Sequence, residues 1–153
     1  MSERREPGNP ASSERGPSGP ATKSPRAESM TRRIYRFEDS EWHVPIAEGT
    51  DRDAAEEAGR QGAARRFLAQ GEGGFYTQVV KLPPNFEAPV HSHDHAEVFM
   101  VLEGSCTFDG EAMERFDLTV VEANHPYGFI AGPDGLSFFV VRQGVAAFAA
   151  EKM

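Results

Sequence analysis

Between Asn85 and Gly104 the chain reads NFEAPVHSHDHAEVFMVLEG, and most of what the sequence says about fold and chemistry lies there. Side chains alternate faces along a strand, so His91 and His93, two apart, point to one side and can share an ion. Glu97 follows four residues later and opens the apolar run Val98 to Leu102. Phe99 and Val101 have the parity of Glu97, which would point its carboxylate into an apolar interior. That is costly unless the carboxylate is paired or bound to a metal, and the two histidines supply a reason for a metal.

Outward from this segment, short β-rich runs separated by turn residues occupy 75–82, 98–102, 105–108, 117–121 and 136–142, a spacing that predicts an all-β sandwich or barrel. Glu103-Gly104 and Asp109-Gly110 both read as hairpin turns between apolar runs. Residues 51–69 are rich in Ala, Glu and Arg and begin at a candidate cap, Asp51, but Gly59 and Gly62 interrupt them. A short frayed helix or a loop is expected there. Residues 1–29 hold five of the eleven prolines and no aromatic, Val, Ile or Leu, so they are expected to form a disordered tail, with Met30 as a candidate natural start. Residues 30–153 then make one domain, with its motifs within 65–145.

The segment resembles the first motif of the cupin superfamily, which runs Gly, five residues, His-x-His, three or four residues, Glu, six residues, Gly. His91, His93, Glu97 and Gly104 match it. Asn85 stands at the leading glycine and also tolerates a left-handed backbone. The resemblance implies a small single-domain, RmlC-like jelly-roll β-barrel of the cupin_2 type. The second cupin motif is degenerate: in FDLTVVEANHPYGFIAG, Phe116, Glu122, Asn124, Tyr127 and Ala131 stand where the family has Gly, Pro, Gly, His and Asn. Tyr127 thus occupies the usual place of a fourth ligand, and His125 lies two residues earlier.

Two imidazoles and a carboxylate leave coordination positions open, an arrangement that suits Fe(II) and oxygen chemistry; Zn, Mn or Ni fit the same donors. Fe(II) is the first expectation, also because cupins that resemble this chain often use it. Tyr127 and His125 are the candidate catalytic groups, each either a proton donor or weak ligand or, on the plainer reading, a side chain outside the chemistry. His95 is expected at the solvent or behind the ligands, His43 outside the site, and Glu122 as a solvated strand-end charge. Most phenylalanines in or beside strands (Phe75, Phe86, Phe99, Phe108, Phe138, Phe139) are expected in the core.

Composition narrows the function. Net charge is −8, and residues 31–153 carry eleven Lys/Arg against twenty Asp/Glu, which disfavours binding to nucleic acid. No apolar run reaches the roughly eighteen residues of a membrane span, and the single cysteine, Cys106, makes no internal disulfide. A cytoplasmic protein is expected. The favoured activity is a metal-dependent oxygenase acting on a small organic molecule. A metal-dependent isomerase, cyclase or lyase and a non-catalytic small-ligand-binding cupin are the alternatives. By the same resemblance, cupins that cleave dimethylsulfoniopropionate carry a tyrosine where Phe99 stands, which argues against that activity. The apolar segment Ile34 to Val44 and the habit of cupins together predict a homodimer.

Overall fold

In the computed structural model, residues 32–44, 51–145 and 149–150 are described. Ile34–Met153 forms one compact unit. The expected disordered tail, 1–29, and the candidate start Met30 lie outside the described residues.

Alternating burial organises the unit. In β4 (Glu97–Phe108), Glu97, Phe99 and Val101 are buried and Val98, Met100 and Leu102 half-buried, the period-two pattern that the sequence predicted. The other strands are β1 (Ala64–Gln70), β2 (Tyr76–Leu82), β3 (Glu87–Ser92), β5 (Glu111–Glu114), β6 (Leu118–Val121), β7 (Tyr127–Arg142) and β8 (Ala149–Ala150). All pairings are antiparallel, in the order β1-β2-β7-β3-β8, while β4 pairs with β5, β6 and β7. The sixteen-residue β7 is the backbone of the jelly roll. Its first half pairs with β3 and the end of β4, its second half with β2 and the start of β4. Phe99, Phe108, Phe129, Phe138, Val101 and Val140 fill the core, with the Phe99 and Phe138 rings stacked at 4.3 Å. Phe86 packs against this core, while Phe75 is exposed and Phe139 half-buried.

Two expectations need correction. The segment 51–69 divides into a helix, α1 (Arg52–Arg60), capped by Asp51 Oδ1, which accepts from the Ala54 N–H at 3.2 Å, and the strand β1. Arg65, Phe67 and Ala69 carry strand character because Ala64–Phe67 pairs with Gln78–Lys81, a long-range contact that overrides local propensity. Glu103-Gly104 is not a turn: β4 runs through it with shifts in register against β7. Gly104 has φ +72, and a Cβ there would sit 2.1 Å from the Gly135 carbonyl oxygen, so glycine serves a bulge and a close approach of backbones. Asp109-Gly110 does turn, with φ of 47 and 84, and joins β4 to β5 as expected for two left-handed residues.

The motif departures keep the motif's backbone. Asn85, Phe116 and Asn124, which replace family glycines, have φ of 60, 71 and 62. Asparagine tolerates that region, whereas phenylalanine pays for it.

Candidate metal and ligand site

β3 reaches the site through a bulge. Ala88 pairs with Phe129 and His91 with Tyr127, so Pro89 and Val90 are accommodated against one residue of β7, a setting that tolerates proline. His91 Nδ1 lies 2.7 Å from the Pro89 carbonyl oxygen. A carbonyl only accepts, so Nδ1 carries the proton and Nε2 the lone pair. Burial lowers the pKa of His91, opposed by that hydrogen bond, and keeps the ring neutral near pH 7.

His93 follows at a ring-centroid distance of 5.0 Å, and its carbonyl accepts from the Asn124 N–H at 2.6 Å, which ties the turn before β7 to the site. Its Nε2 is 3.4 Å from an Arg142 terminal nitrogen. A guanidinium has no acceptor, so this Nε2 is again the lone-pair nitrogen. Both imidazoles therefore hold the tautomer that binds metals through Nε2.

Glu97 is 2% exposed, the burial its parity predicted. Its Oε2 accepts from Arg142 Nε at 2.6 Å, and its Oε1 is buried with no hydrogen-bond partner among the described residues. Tyr127 is buried, its ring 4.5 Å from that of His91 and stacked at 5.0 Å on Phe108. Burial, then the charge of Glu97, push its hydroxyl far above the usual tyrosine value, so it is neutral and a poor ligand but a competent hydrogen-bond donor. His125 and Glu122 are exposed in the turn before β7. His95 is half-buried, its ring against Gly144, where a Cβ would lie 2.1 Å from the ring Nε2. His43 is exposed and bridges to Arg65 at the outer strand.

Two residues that sequence reading missed complete the cluster. Arg142 lies opposite Glu97 across the β4–β7 ladder. Gln78 is 7% exposed, and its Oε1 is buried with no partner among the described residues. Gln78 pairs with Val140, two residues from Arg142 on the same face, which makes it a diagonal neighbour. Parity was a usable signal: Arg142 continues the inward series Leu136, Phe138, Val140, and Gln78 that of Val80 and Leu82.

The donor set suits a divalent cation: two neutral imidazoles presenting Nε2 and a buried carboxylate oxygen without a partner. As the side chains stand, no three His, Cys, Asp or Glu among the described residues surround a common point, and Arg142 bridges Glu97 and His93 instead. Glu97 can offer Oε1 while keeping Arg142 on Oε2.

Comparison with known proteins agrees with this architecture. The family model of the cupin domain, Cupin_2, matches residues 78–142. The polyketide cyclase RemF of Streptomyces resistomycificus is similar in fold, with TM-score 0.61 and 20% identity over 81% of this chain and 87% of its own. An RmlC-like cupin protein of Ralstonia eutropha superposes with TM-score 0.61 and 13% identity over 80% and 82%. Oxalate decarboxylase of Bacillus subtilis, whose structure concerns its Mn(II) centres, gives TM-score 0.56 and 14% identity over 79% of this chain and 33% of that one. A search of curated protein sequences found no match. The matched segment spans the histidines, Glu97 and Arg142, and residues 78–142 are a cupin domain by that match.

Proposed function

We propose that this cupin is a metal-dependent enzyme acting on a small organic molecule, with a divalent ion held by His91, His93 and Glu97. The observation that carries this reading is the partnerless Glu97 Oε1, buried beside two imidazoles whose lone pairs are on Nε2. A carboxylate oxygen in that state is costly without a cation or donor. Fe(II) is the preferred ion and an oxygenase the preferred activity, since three protein donors leave positions open for O2 and substrate. When bound, the ion would supply Lewis acidity and a place to orient reactants.

The chain's own residues would do the rest. Pro89 fixes the His91 ring through Nδ1, Arg142 fixes Glu97 through Oε2, and Phe99, Phe108 and Phe138 exclude water from beneath the site. Neutral, buried Tyr127 can donate a hydrogen bond to substrate. That hydroxyl also favours a second reading, a metal-dependent isomerase, cyclase or lyase, in which a fixed hydrogen-bond donor matters more than O2. His125 is exposed and is assigned no catalytic role in this proposal.

Metal analysis of untagged protein tests the ion: about one equivalent per chain is expected, and a metal-free protein that takes up none on titration rejects the reading. Nitric oxide, a stand-in for O2, separates the activities. Binding to Fe(II)-loaded protein, seen by electron paramagnetic resonance, supports the oxygenase, and its absence favours the isomerase, cyclase or lyase.

A homodimer is proposed alongside. Leu118 and Val120 on β6 are 49% and 62% exposed, and Val98 and Met100, on the same outer face of β4, are half-buried. Trp42 and Phe37 of the segment first expected to self-associate instead stack with Arg66, so the β6 face is the better interface. Among the described residues no helix is long and apolar enough to cross a membrane. A cytoplasmic location remains a proposal that rests on composition.

A further inference from the structure

We infer that Arg142 is a two-position gate on this site: its guanidinium rests against Glu97 and His93 while no ion is bound, and an ion is admitted as its terminal nitrogens leave His93 for Gln78. The inference rests on the metal reading above and concerns its regulation.

As folded, two of the three proposed ligands already hold a cation. Arg142 Nε donates to Glu97 Oε2 at 2.6 Å, and a terminal nitrogen lies 3.4 Å from His93 Nε2. The lone pair that His93 would lend to an ion therefore faces an N–H. Among the described residues no three His, Cys, Asp or Glu are grouped to hold a metal, and the position of this guanidinium is a physical reason for it. A guanidinium keeps its charge at any ordinary pH, so it repels a divalent ion as well as blocking it. The room an ion needs is the room those terminal nitrogens give up.

The sheet offers them a second seat. β7 lies between β4 and β2, so Arg142 has Glu97 on one side and β2 on the other. Gln78 of β2 is its diagonal neighbour, within reach of a long side chain. Gln78 is 7% exposed, and its Oε1 is buried without a partner among the described residues. An amide oxygen left in that state is costly, and an Arg142 N–H would satisfy it. Arg65, on β1 beyond β2, weights the balance: its charge and that of Arg142 repel. That repulsion returns the guanidinium towards Glu97 when no ion competes.

Mn2+ is the probe, in calorimetric titrations of the full chain. Arg142→Met should bind Mn2+ about 10- to 100-fold more tightly than wild type, the scale of a hydrogen bond to a charged group. Gln78→Leu should bind it roughly 3- to 10-fold more weakly, because the displaced N–H then finds no acceptor. In the double variant the Gln78 effect should vanish, since without the guanidinium the amide has nothing to receive. Gln78→Leu leaves the Glu97–Arg142 pair intact and decides the matter if the methionine variant does not fold. Arg142→Met that binds no more tightly than wild type overturns the gate and leaves the metal reading standing. So does a Gln78→Leu effect that is absent from the wild-type background or persists in the double variant. Uptake of Mn2+ by Arg142→Met but not by wild type supports the gate and rejects the metal reading for the natural chain, and uptake by neither overturns both.

Discussion

Arg142 and Glu97 face each other across the β4–β7 ladder, forty-five residues apart in sequence, with Nε 2.6 Å from Oε2 and both side chains almost wholly buried. Such a pair fixes geometry more surely than it adds stability, since desolvation offsets most of the attraction, whereas removal of one partner is destabilising by about 3–5 kcal/mol. It holds Glu97 so that Oε1, rather than Oε2, is the oxygen left without a hydrogen-bond partner among the described residues.

The ligand set predicts a graded series. His91→Ala and His93→Ala should empty the site, as should Glu97→Ala, with Glu97→Gln added because the alanine also strands Arg142. Tyr127→Phe should keep the metal and lose turnover by roughly 10²- to 10⁴-fold if the hydroxyl is a general acid. Metal quantification on purified variants decides it: a fully loaded histidine variant would remove that residue from the ligand set.

Gln78→Leu should stabilise the ligand-free protein by about 1 kcal/mol, because it removes a buried acceptor that has no partner. A loss of stability in urea titration would show that the amide already has a structural role.

Phe116 occupies a left-handed backbone position, φ 71, with its ring 61% exposed. Phe116→Gly should relieve strain of about 1–2 kcal/mol against a glycine entropy cost of about 0.5–1 kcal/mol. A net rise of a few degrees in melting temperature is expected. Gly104→Ala should do the reverse, since it meets the Gly135 carbonyl at a φ that disfavours any side chain. Calorimetry on the pair would expose an error in either sign.

Cys106 is 4% exposed, and burial pushes its thiol up to about 11 from a usual 9.0. Alkylation of native protein at pH 8 should be negligible and become complete on unfolding. A thiol pKa raised by folding contributes stability that is intact below pH 9.0 and is lost as pH rises through about 11. Fast labelling at pH 8 would mean that the core opens readily.

Light scattering at micromolar concentration should give a dimer for wild type and a monomer for Val120→Glu, which places a charge at the centre of the β6 face. Dimeric Val120→Glu would move the interface elsewhere.

The sequence by itself determined the local chemistry: an extended segment, the end of β3 and the residue after it, that buries both His91 and His93, the inward parity of Glu97, Phe99 and Val101, and the tight turn at Asp109-Gly110. These depend on neighbours within a few residues, where period two and turn conformation act. It also implied the barrel through the cupin motif. The tertiary structure alone decided what stands across the sheet. Residues 64–70 became a strand only because β2 pairs with them, and Gly104 became a bulge only because Gly135 lies opposite. His125 ended outside and Tyr127 inside for want of any local signal to separate them. Arg142 joined Glu97 because the register of β7 against β4 puts them level. Register between distant strands is settled by burial summed over the whole sheet, and no stretch of sequence read alone contains that sum.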